Sequence, residues 1–364
     1  MTVATVPKHR RIYDALYRSI IGGEFDPARR LPSEAELVHQ FHASRPTVAR
    51  ALRDLQGMGL IERRAGSGTY LRQNPAGAPQ QQLGLIVSGL GNTEVLDPIC
   101  TEIARTAEAA KFTLRWGGDY PHDFSAGQAE ALCQQYIAAK AAGVFFAPLE
   151  LPANREAVNQ SIIDRLAAAR IPVILLDRDV ADFPKRSSCD LVAIDNFKAA
   201  FEIAEHLLNR GCRRLGFVAR PRYPSTTDLR IAGCREALAR RSSAPGRHVL
   251  YVHIGNPSDE AFARTLLRDR PDGIVCSNDL TAALLAQTLH GAGISIPDDL
   301  RLAAFDDIKY ATLLSPPLTT IRQPCRELAQ AAVRAMMERI ASPGMPPRQI
   351  LLSADLVVRR SSGD

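Results

Sequence analysis

From residue 83 onward the sequence alternates short apolar runs with longer amphipathic segments, and no other feature limits the fold as strongly. The segments between the runs, such as 98–110, 198–209 and 280–291, carry apolar residues at helical spacing. Strands that alternate with helices form parallel sheets with helices on both faces. We therefore predict an α/β fold of doubly wound parallel sheets, divided into two lobes because the length exceeds that of one compact domain. The predicted strands are 83–87, 112–116, 144–146, 173–176, 192–194, 215–218, 249–252, 274–276 and 302–304.

The first 72 residues lack this alternation and predict a small helical domain. A first helix is predicted from a stripe of apolar residues four apart, which are Ile12, Leu16 and Ile20. Ser33 and Glu36 have the spacing of a capping box, which predicts that a second helix begins there. Ser44 predicts the cap of a third helix. The inward face of this third helix is apolar at helical spacing, with Val48, Ala51, Leu52, Leu55 and Met58.

The outward face of the third helix carries basic and hydroxyl side chains, which are Arg45, Thr47, Arg50 and Arg53. A β-hairpin with a glycine-containing turn is predicted to follow it. Two helices joined by a tight turn suit the major groove of DNA, where an arginine binds guanine and a hydroxyl binds phosphate. The alternative is a small helical domain whose arginines are only solvated.

The net charge is concentrated in this first part of the chain. The whole sequence has a formal charge of +6, with 45 Lys and Arg against 39 Asp and Glu. Residues 1–72 hold 12 basic against 7 acidic residues, a net of +5, and the remaining residues hold 33 against 32, a net of +1. A basic module on a neutral body is expected of a polyanion-binding protein, although a small basic domain can also simply be soluble.

Several other classes of protein are disfavoured by the sequence. No apolar stretch approaches the length of a membrane helix, and no secretory signal follows the N-terminus, which predicts a cytoplasmic protein with no membrane partner. The seven cysteines are dispersed without a CxxC pair, so we expect neither a disulfide framework nor a metal site. No hydrolase, phosphate-loop, zinc-protease or dinucleotide motif is present, which predicts a protein without catalytic residues or cofactor.

The first module resembles the GntR-family winged helix-turn-helix. The resemblance rests on the sequences of residues 31–34, 44–48, 51–52, 59–61 and 66–69. It implies DNA contacts from the turn and the third helix, and Arg63 and Arg64 of the hairpin are placed to reach a phosphate backbone or a minor groove. The predicted DNA-binding residues are Ser33, Ser44, Arg45, Thr47, Arg50, Arg63, Arg64 and Gly66. The family often has arginine at the positions of Ala35 and Ala49, so we expect a base preference different from the usual one.

Residues 83–364 resemble the effector domain of the LacI/GalR regulators, which is similar to periplasmic sugar-binding proteins. The motifs are spread over the whole region, at 171–178, 192–196, 206–215, 277–279, 296–300, 305–307 and 317–324, with Arg230 and Gly233. A GntR-type DNA-binding domain on a LacI-type sensor is the arrangement of arabinose-type repressors. The resulting domain prediction is 1–72 for DNA binding, 73–82 for a linker and 83–364 for effector binding and dimerisation.

Polar residues that follow the predicted strands are the candidates for effector binding, because an open α/β sheet binds ligands beyond the carboxyl ends of its strands. By family position the cleft is expected to be lined by Asp177, Arg230, Asn278 and Asp306, with Asp195 and Asp279 as further candidates. These acceptors suit a sugar. Asp195 and Asp279 could instead cap the helices that follow them, and Arg230 could form a surface salt bridge. Trp116 is predicted to lie in the core rather than to stack on a sugar.

The function that accounts for both parts of the chain is a ligand-responsive bacterial transcriptional regulator. The resemblance implies a homodimeric repressor of double-stranded, pseudo-palindromic operator DNA that is released or modulated by a sugar-like small molecule. A transport binding protein would account for the second part only, and an enzyme would need motifs that are missing. The sequence leaves open the identity of the effector and whether it acts as inducer or corepressor.

Overall fold

The structure is a computed structural model, and it describes most of the chain. The described residues are 9, 12, 13, 15, 16 and 19, together with 31–57, 61–64, 68–71, 81–88, 95–110, 112–116, 125–150, 154–181, 184–241 and 248–363.

The N-terminal domain contains two described helices and a hairpin. Helices α1 (Glu34–Gln40) and α2 (Arg45–Gly57) precede the antiparallel pair β1 (Ile61–Arg64) and β2 (Gly68–Leu71). The capping box is confirmed, because the Ser33 hydroxyl accepts from the Glu36 N–H at 3.2 Å and the Glu36 carboxylate accepts from the Ser33 N–H at 2.6 Å. The domain has its own apolar core, formed by Ile12, Leu16, Leu31, Leu37, Ala43, Val48, Ala51, Leu52, Leu55 and Ile61.

The second region begins with a lobe that we call the N-lobe. Its six-stranded sheet is parallel throughout and has the order β13-β7-β6-β5-β3-β4. The strands are β3 (Gln82–Ile86), β4 (Thr113–Trp116), β5 (Gly143–Phe146), β6 (Val173–Leu176), β7 (Asp190–Ile194) and β13 (Gln349–Leu352). The helices are α3 (Leu96–Ala109), α4 (Ala126–Ala138), α5 (Arg155–Ala168) and α11 (Cys325–Ala341), and α11 packs against α3. The inner strands are apolar and buried because helices cover both faces.

The other lobe, the C-lobe, has a second six-stranded sheet of order β14-β12-β11-β10-β8-β9. Only the pairing of β14 with β12 is antiparallel. The strands are β8 (Arg214–Ala219), β9 (Val249–Ile254), β10 (Gly273–Cys276), β11 (Arg301–Asp306), β12 (Thr319–Arg322) and β14 (Asp355–Val357). The helices are α6 (Asn196–Asn209), α7 (Thr226–Arg241), α8 (Glu260–Arg268), α9 (Asp279–Gly291) and the short α10 (Lys309–Leu313).

The chain passes between the lobes at three crossovers. The first is at Asp195, between β7 and α6, and the second is at Gln323 and Pro324, between β12 and α11. The third is at residues 353–354, where β13 of the N-lobe leads directly to β14 of the C-lobe. All parallel strands that precede a crossover end on the same side of their sheets, so their carboxyl ends face the space between the lobes.

The predicted fold class is confirmed, with a helical N-terminal domain followed by two parallel sheets in separate lobes. The predicted domain boundaries stay predictions, because residues 72–80 lie outside the described part of the chain. Among the described helices none combines the length and the apolar character needed to cross a membrane. The described residues also contain no group of His, Cys, Asp and Glu side chains arranged to hold a metal ion.

Candidate functional site

The exposed surface of α2 carries the residues predicted for DNA binding. Arg45 and Arg50 are exposed, and the Ser44 and Thr47 hydroxyls hydrogen bond to each other at 2.8 Å near the start of the helix. Val48, Ala51, Leu52 and Leu55 hold the opposite face in the core. The helix is therefore fixed by its apolar face while guanidinium and hydroxyl groups point outward.

The remaining predicted DNA-binding residues lie elsewhere or are not described. The Ser33 hydroxyl is occupied as the cap of α1, although its position at the edge of the turn is exposed enough for a second contact. The backbone of Arg63 and Arg64 forms β1, but their side chains and Gly66 lie outside the described residues. Their contribution to DNA binding stays a prediction.

The centre of the second site is Arg230, on α7 of the C-lobe. Its side chain is only 5% exposed, which excludes the alternative interpretation of a surface salt bridge. Nε donates to Asn196 Oδ1 at 2.8 Å and Nη1 donates to the Ser277 carbonyl at 2.5 Å. The guanidinium also stacks over the Phe305 ring, 4.2 Å from its centroid. These contacts fix its third nitrogen, Nη2, at 4.0 Å from Asp306 Oδ1.

Asp177 is a charged residue of the N-lobe that lies near this arginine. It follows β6 with a positive φ of 69°, which turns the chain at the strand end. Burial raises the pKa of the Asp177 carboxyl to about 6, the nearby Arg230 opposes the rise, and Asp306 adds to it. The charges of Arg230 and Asp306 in the C-lobe are therefore close enough to act on this carboxyl group of the N-lobe.

Arg178 and Glu150 form a second charged pair on the N-lobe side. Arg178 is 7% exposed, its Nη1 contacts the Glu150 carboxylate and lies 3.1 Å from Asp177 Oδ2, and its Nε donates to the Pro148 carbonyl at 3.1 Å. Burial and, to a smaller extent, the positive charge of Arg230 lower the pKa of Arg178 to about 9, while the charge of Asp306 opposes this shift. The pair therefore lies close to the C-lobe charges.

Asp306 is the last of the charged residues around Arg230, and it belongs to the C-lobe. It is the last residue of β11 and has a φ of 110°, and its Oδ1 accepts from Gln323 Nε2 at 2.8 Å. Because Gln323 is at the second crossover, this bond ties the carboxylate to the hinge. The adjacent Asp307 points elsewhere and pairs with Arg322 and Arg359, both at 2.6 Å.

The three other predicted effector residues have structural contacts. Asp195 accepts from the Lys198 N–H at 2.9 Å and caps α6, as its alternative interpretation required. The cap of α9 is Asn278, which accepts from the N–H and the hydroxyl of Thr281. The prediction that Asp279 caps this helix is therefore wrong. Asp279 is fully buried, and its carboxylate accepts from Thr320 and from the Ile308 N–H.

A cavity of about 220 Å³ lies beside the first crossover and includes Asp177, Asp195 and Asn196. Its other walls come from the loop after β6, from β7 and β13, and from the start of α7. Both lobes thus contribute to it. Trp116 is the last residue of β4, but its side chain lies outside the described residues, so its predicted core position stays a prediction.

Sequence reasoning missed four residues of this site as participants: Glu150, Arg178, Asn196 and Gln323. Three of them, Arg178, Asn196 and Gln323, lie within the recognised motifs, so the motifs contained the signal. Glu150 lies close behind β5 and forms its pair with a residue 28 positions further along the chain, a contact without any local pattern. The assembled groups can accept and donate several hydrogen bonds within a poorly hydrated space, which suits a molecule with many hydroxyl groups.

Two family models match this chain, one in the N-terminal domain and one in the region of the two lobes. Residues 8–71 match the model of the bacterial regulatory proteins of the gntR family. Residues 204–362 match the model of a periplasmic binding protein-like domain.

Individual relatives extend the likeness to the whole chain. The arabinose metabolism transcriptional repressor of Geobacillus stearothermophilus is 27% identical over 380 residues, which cover 100% of this chain and 99% of the relative. The ribose operon repressor of Halalkalibacterium halodurans is 32% identical, over 53% of this chain and 56% of its own length. Among solved structures, a periplasmic binding protein/LacI transcriptional regulator of Alkaliphilus metalliredigens, complexed with D-xylulofuranose, has a TM-score of 0.62 at 20% identity and covers 78% of this chain and 99% of that one.

Proposed function

The chain joins a GntR-type DNA-binding domain to a periplasmic-binding-protein-like domain, and from this pairing we propose that it is a ligand-responsive transcriptional repressor. The effector is a small polyhydroxylated molecule of the sugar class, bound between the lobes. The single observation that carries the effector part is the approach of Asp177 of the N-lobe to Arg230 and Asp306 of the C-lobe. The names of the arabinose and ribose repressors and the sugar bound in the solved relative support the same class.

In this proposal each domain has one task. Arg45, Arg50, Ser44 and Thr47 contact operator DNA from the exposed face of α2. Two chains, paired through their sensor domains in the cytoplasm, present two such helices to a pseudo-palindromic operator. The full-length match to a repressor supports this arrangement.

The effector acts by changing how far the lobes close. A molecule that contacts Asp177 on one side and Arg230 and Asp306 on the other binds the closed form more tightly than the open form, so it shifts the population toward closure. Closure moves the N-lobe relative to the C-lobe and thereby the DNA-binding domains that precede it. Such coupling changes operator affinity by roughly five- to 150-fold.

The test combines ligand screening with operator binding, both on the full chain. Thermal unfolding is followed with sugars, sugar phosphates and nucleosides, because a ligand of the native state raises the melting temperature. Operator sequences are selected from random DNA duplexes and then measured with and without the ligand found. The expected result is a selective rise for a sugar, and a changed operator affinity in its presence.

Two variants separate the domains in this test. We expect Arg45→Ala to abolish specific operator binding and to keep the ligand-induced shift, whereas Arg241→Ala, a control at the exposed end of α7, keeps both. Asp306→Ala should bind the operator and lose the response to ligand. Loss of ligand binding in Arg45→Ala, or a normal response in Asp306→Ala, would contradict the proposal.

A further inference from the structure

Arg155 joins the two lobes at a place outside the three crossover segments. Its Nη1 donates to the Tyr223 carbonyl of the C-lobe at 3.3 Å and to the Glu150 carbonyl of the N-lobe at 3.2 Å. This side-chain hydrogen bond connects the two lobes outside the three crossover segments. Moving the lobes apart at this point would break it.

The position of Arg155 is unfavourable for the helix that carries it. Arg155 is the first residue of α5, where the positive end of the helix dipole repels a cation. The preceding residue, Asn154, makes no side-chain capping bond that would compensate. The first turn of α5 contains one acidic residue, Glu156, as the first turns of α3 and α8 contain Asp97 and Glu260, but its first position is occupied by the cation. A cation at such a position is expected where it is needed for something other than helix stability.

The guanidinium is connected to the charged residues of the cleft through Glu150. The Glu150 carbonyl orients Arg155, and the Glu150 side chain pairs with the buried Arg178, which in turn lies beside Asp177. Arg155 is half-buried, so its bond to the Tyr223 carbonyl is partly shielded from water. A bond between a charged donor and a neutral carbonyl in such surroundings is stronger than an exposed one.

We propose that Arg155 is a positioning residue that holds the cleft closed before any effector binds, by bonding the N-lobe to the backbone of the C-lobe. The bond between the lobes does not depend on the proposed function. Only its consequence rests on that function, namely that Arg155 sets the equilibrium between open and closed forms in the absence of ligand. Because the acceptor is a backbone carbonyl, the residue type at position 223 is free to vary while the bond is kept.

The experiment measures lobe opening directly, in the full chain without ligand. Hydrogen exchange is followed by mass spectrometry in segments 147–150 and 220–224, on the two sides of the bond. In Arg155→Ala we expect exchange in both segments to become faster by about tenfold, the size expected for losing one hydrogen bond to a charged group. Arg155→Lys keeps the charge with a less suitable donor geometry and should give an intermediate rate.

The matched control is Arg165→Ala, which removes the same charge from an exposed position on the same helix. Its exchange should equal that of the parent chain. Unchanged exchange in Arg155→Ala, or an equal acceleration in Arg165→Ala, would overturn the proposal. A general acceleration that includes the strand segments 144–146 and 274–276 would indicate a folding defect and would also count against it. None of these outcomes depends on operator binding, so this inference and the proposed function fail separately.

Discussion

Among the residues that the structure describes, each lobe contains one fully buried aspartate, and the two are stabilised in opposite ways. The Asp190 carboxylate of the N-lobe accepts hydrogen bonds from the Arg339 side chain at 2.8 and 3.1 Å. It also accepts from the Arg348 side chain at 3.2 Å and from the Arg348 N–H at 2.7 Å. Asp279 of the C-lobe receives one hydroxyl, from Thr320 at 2.6 Å, and one N–H, from Ile308 at 2.9 Å. No cation contacts it among the described residues.

The two environments give the carboxyl groups different charges at neutral pH. Burial works against ionisation of Asp190, but the hydrogen bonds from Arg339 and Arg348 outweigh it and lower the pKa. Burial raises the pKa of Asp279 to about 8, and the Thr320 hydroxyl only partly opposes it. The comparison teaches that burial alone decides nothing about a carboxyl group. The number of cationic donors decides whether it serves as a permanent charge or as a group that holds a proton.

The largest effect is expected from Asp190→Asn. The change leaves two arginines, one of them 12% exposed, without their carboxylate, and breaking a buried pair in this way costs about 3 kcal/mol or more in the free energy of unfolding. Urea unfolding at pH 7 measures it. Asp164→Asn, at an exposed carboxylate bonded to Gln160, is the control and should be nearly neutral. A loss below about 1 kcal/mol would mean that the cluster does not anchor the returning C-terminal segment.

A smaller effect, dependent on pH, is expected from Asp279→Asn. The native chain keeps a proton on Asp279 that the unfolded chain releases, since the folded pKa of about 8 lies above the ordinary aspartate pKa of 3.8. The stability that Asp279 contributes is therefore complete below the unfolded pKa and is lost as the pH rises through 8. We expect the variant to gain about 1 kcal/mol per pH unit over the parent chain between pH 5 and pH 8.

Unfolding of Asp190→Asn over the same pH range sharpens the comparison, because the pKa of Asp190 is shifted in the opposite direction. Its lowered pKa means that its contribution is present above the ordinary carboxyl range and is lost only in strong acid. The difference between Asp190→Asn and the parent chain should thus be constant from pH 5 to pH 8. A flat difference for Asp279→Asn as well would show that Asp279 is ionised in the native chain.

The smallest effect is expected from Glu338→Gln. Glu338 pairs with Arg348 at 2.6 Å, as short as any contact in the Asp190 cluster, but its side chain is 56% exposed. Water and salt screen such a pair, so the cost should be no more than about 0.5 kcal/mol. Thermal unfolding at low and high salt measures it, with Arg240 and Glu236, 70% and 39% exposed and 2.7 Å apart, as a comparable exposed pair. A loss as large as that of Asp190→Asn would refute the view that burial and donor number determine the strength of this cluster.

Local patterns in the sequence were sufficient for the architecture. The capping box of Ser33 and Glu36, the apolar face of α2 and the strand–helix alternation each depend on residues within a few positions of one another, and each is present. The cap at Asp195 is of the same kind. The cap of α9 was assigned one residue too late, because Asn278 and Asp279 are both good capping residues and only the backbone conformation distinguishes them.

The site was less predictable, since its contacts join distant parts of the chain. Arg230 bonds to a residue 34 positions earlier and to one 47 positions later, and Asp190 bonds to Arg348, 158 positions away. Family position supplied Asp177, Arg230 and Asp306 as candidates, and the structure brings these three together. The interlobe bond of Arg155 has no local signal at all, because its acceptor is a carbonyl group.

The third crossover affects the order in which the parts of the protein can fold during synthesis. Strand β13 completes the N-lobe sheet and β14 the C-lobe sheet, so the N-lobe sheet lacks an edge strand until residue 352 has left the ribosome, and the C-lobe sheet until residue 357 has done so. The N-terminal domain has its own core within the first 71 residues. During synthesis the part of the chain that we propose binds DNA is therefore complete more than 280 residues before the part that we propose regulates it.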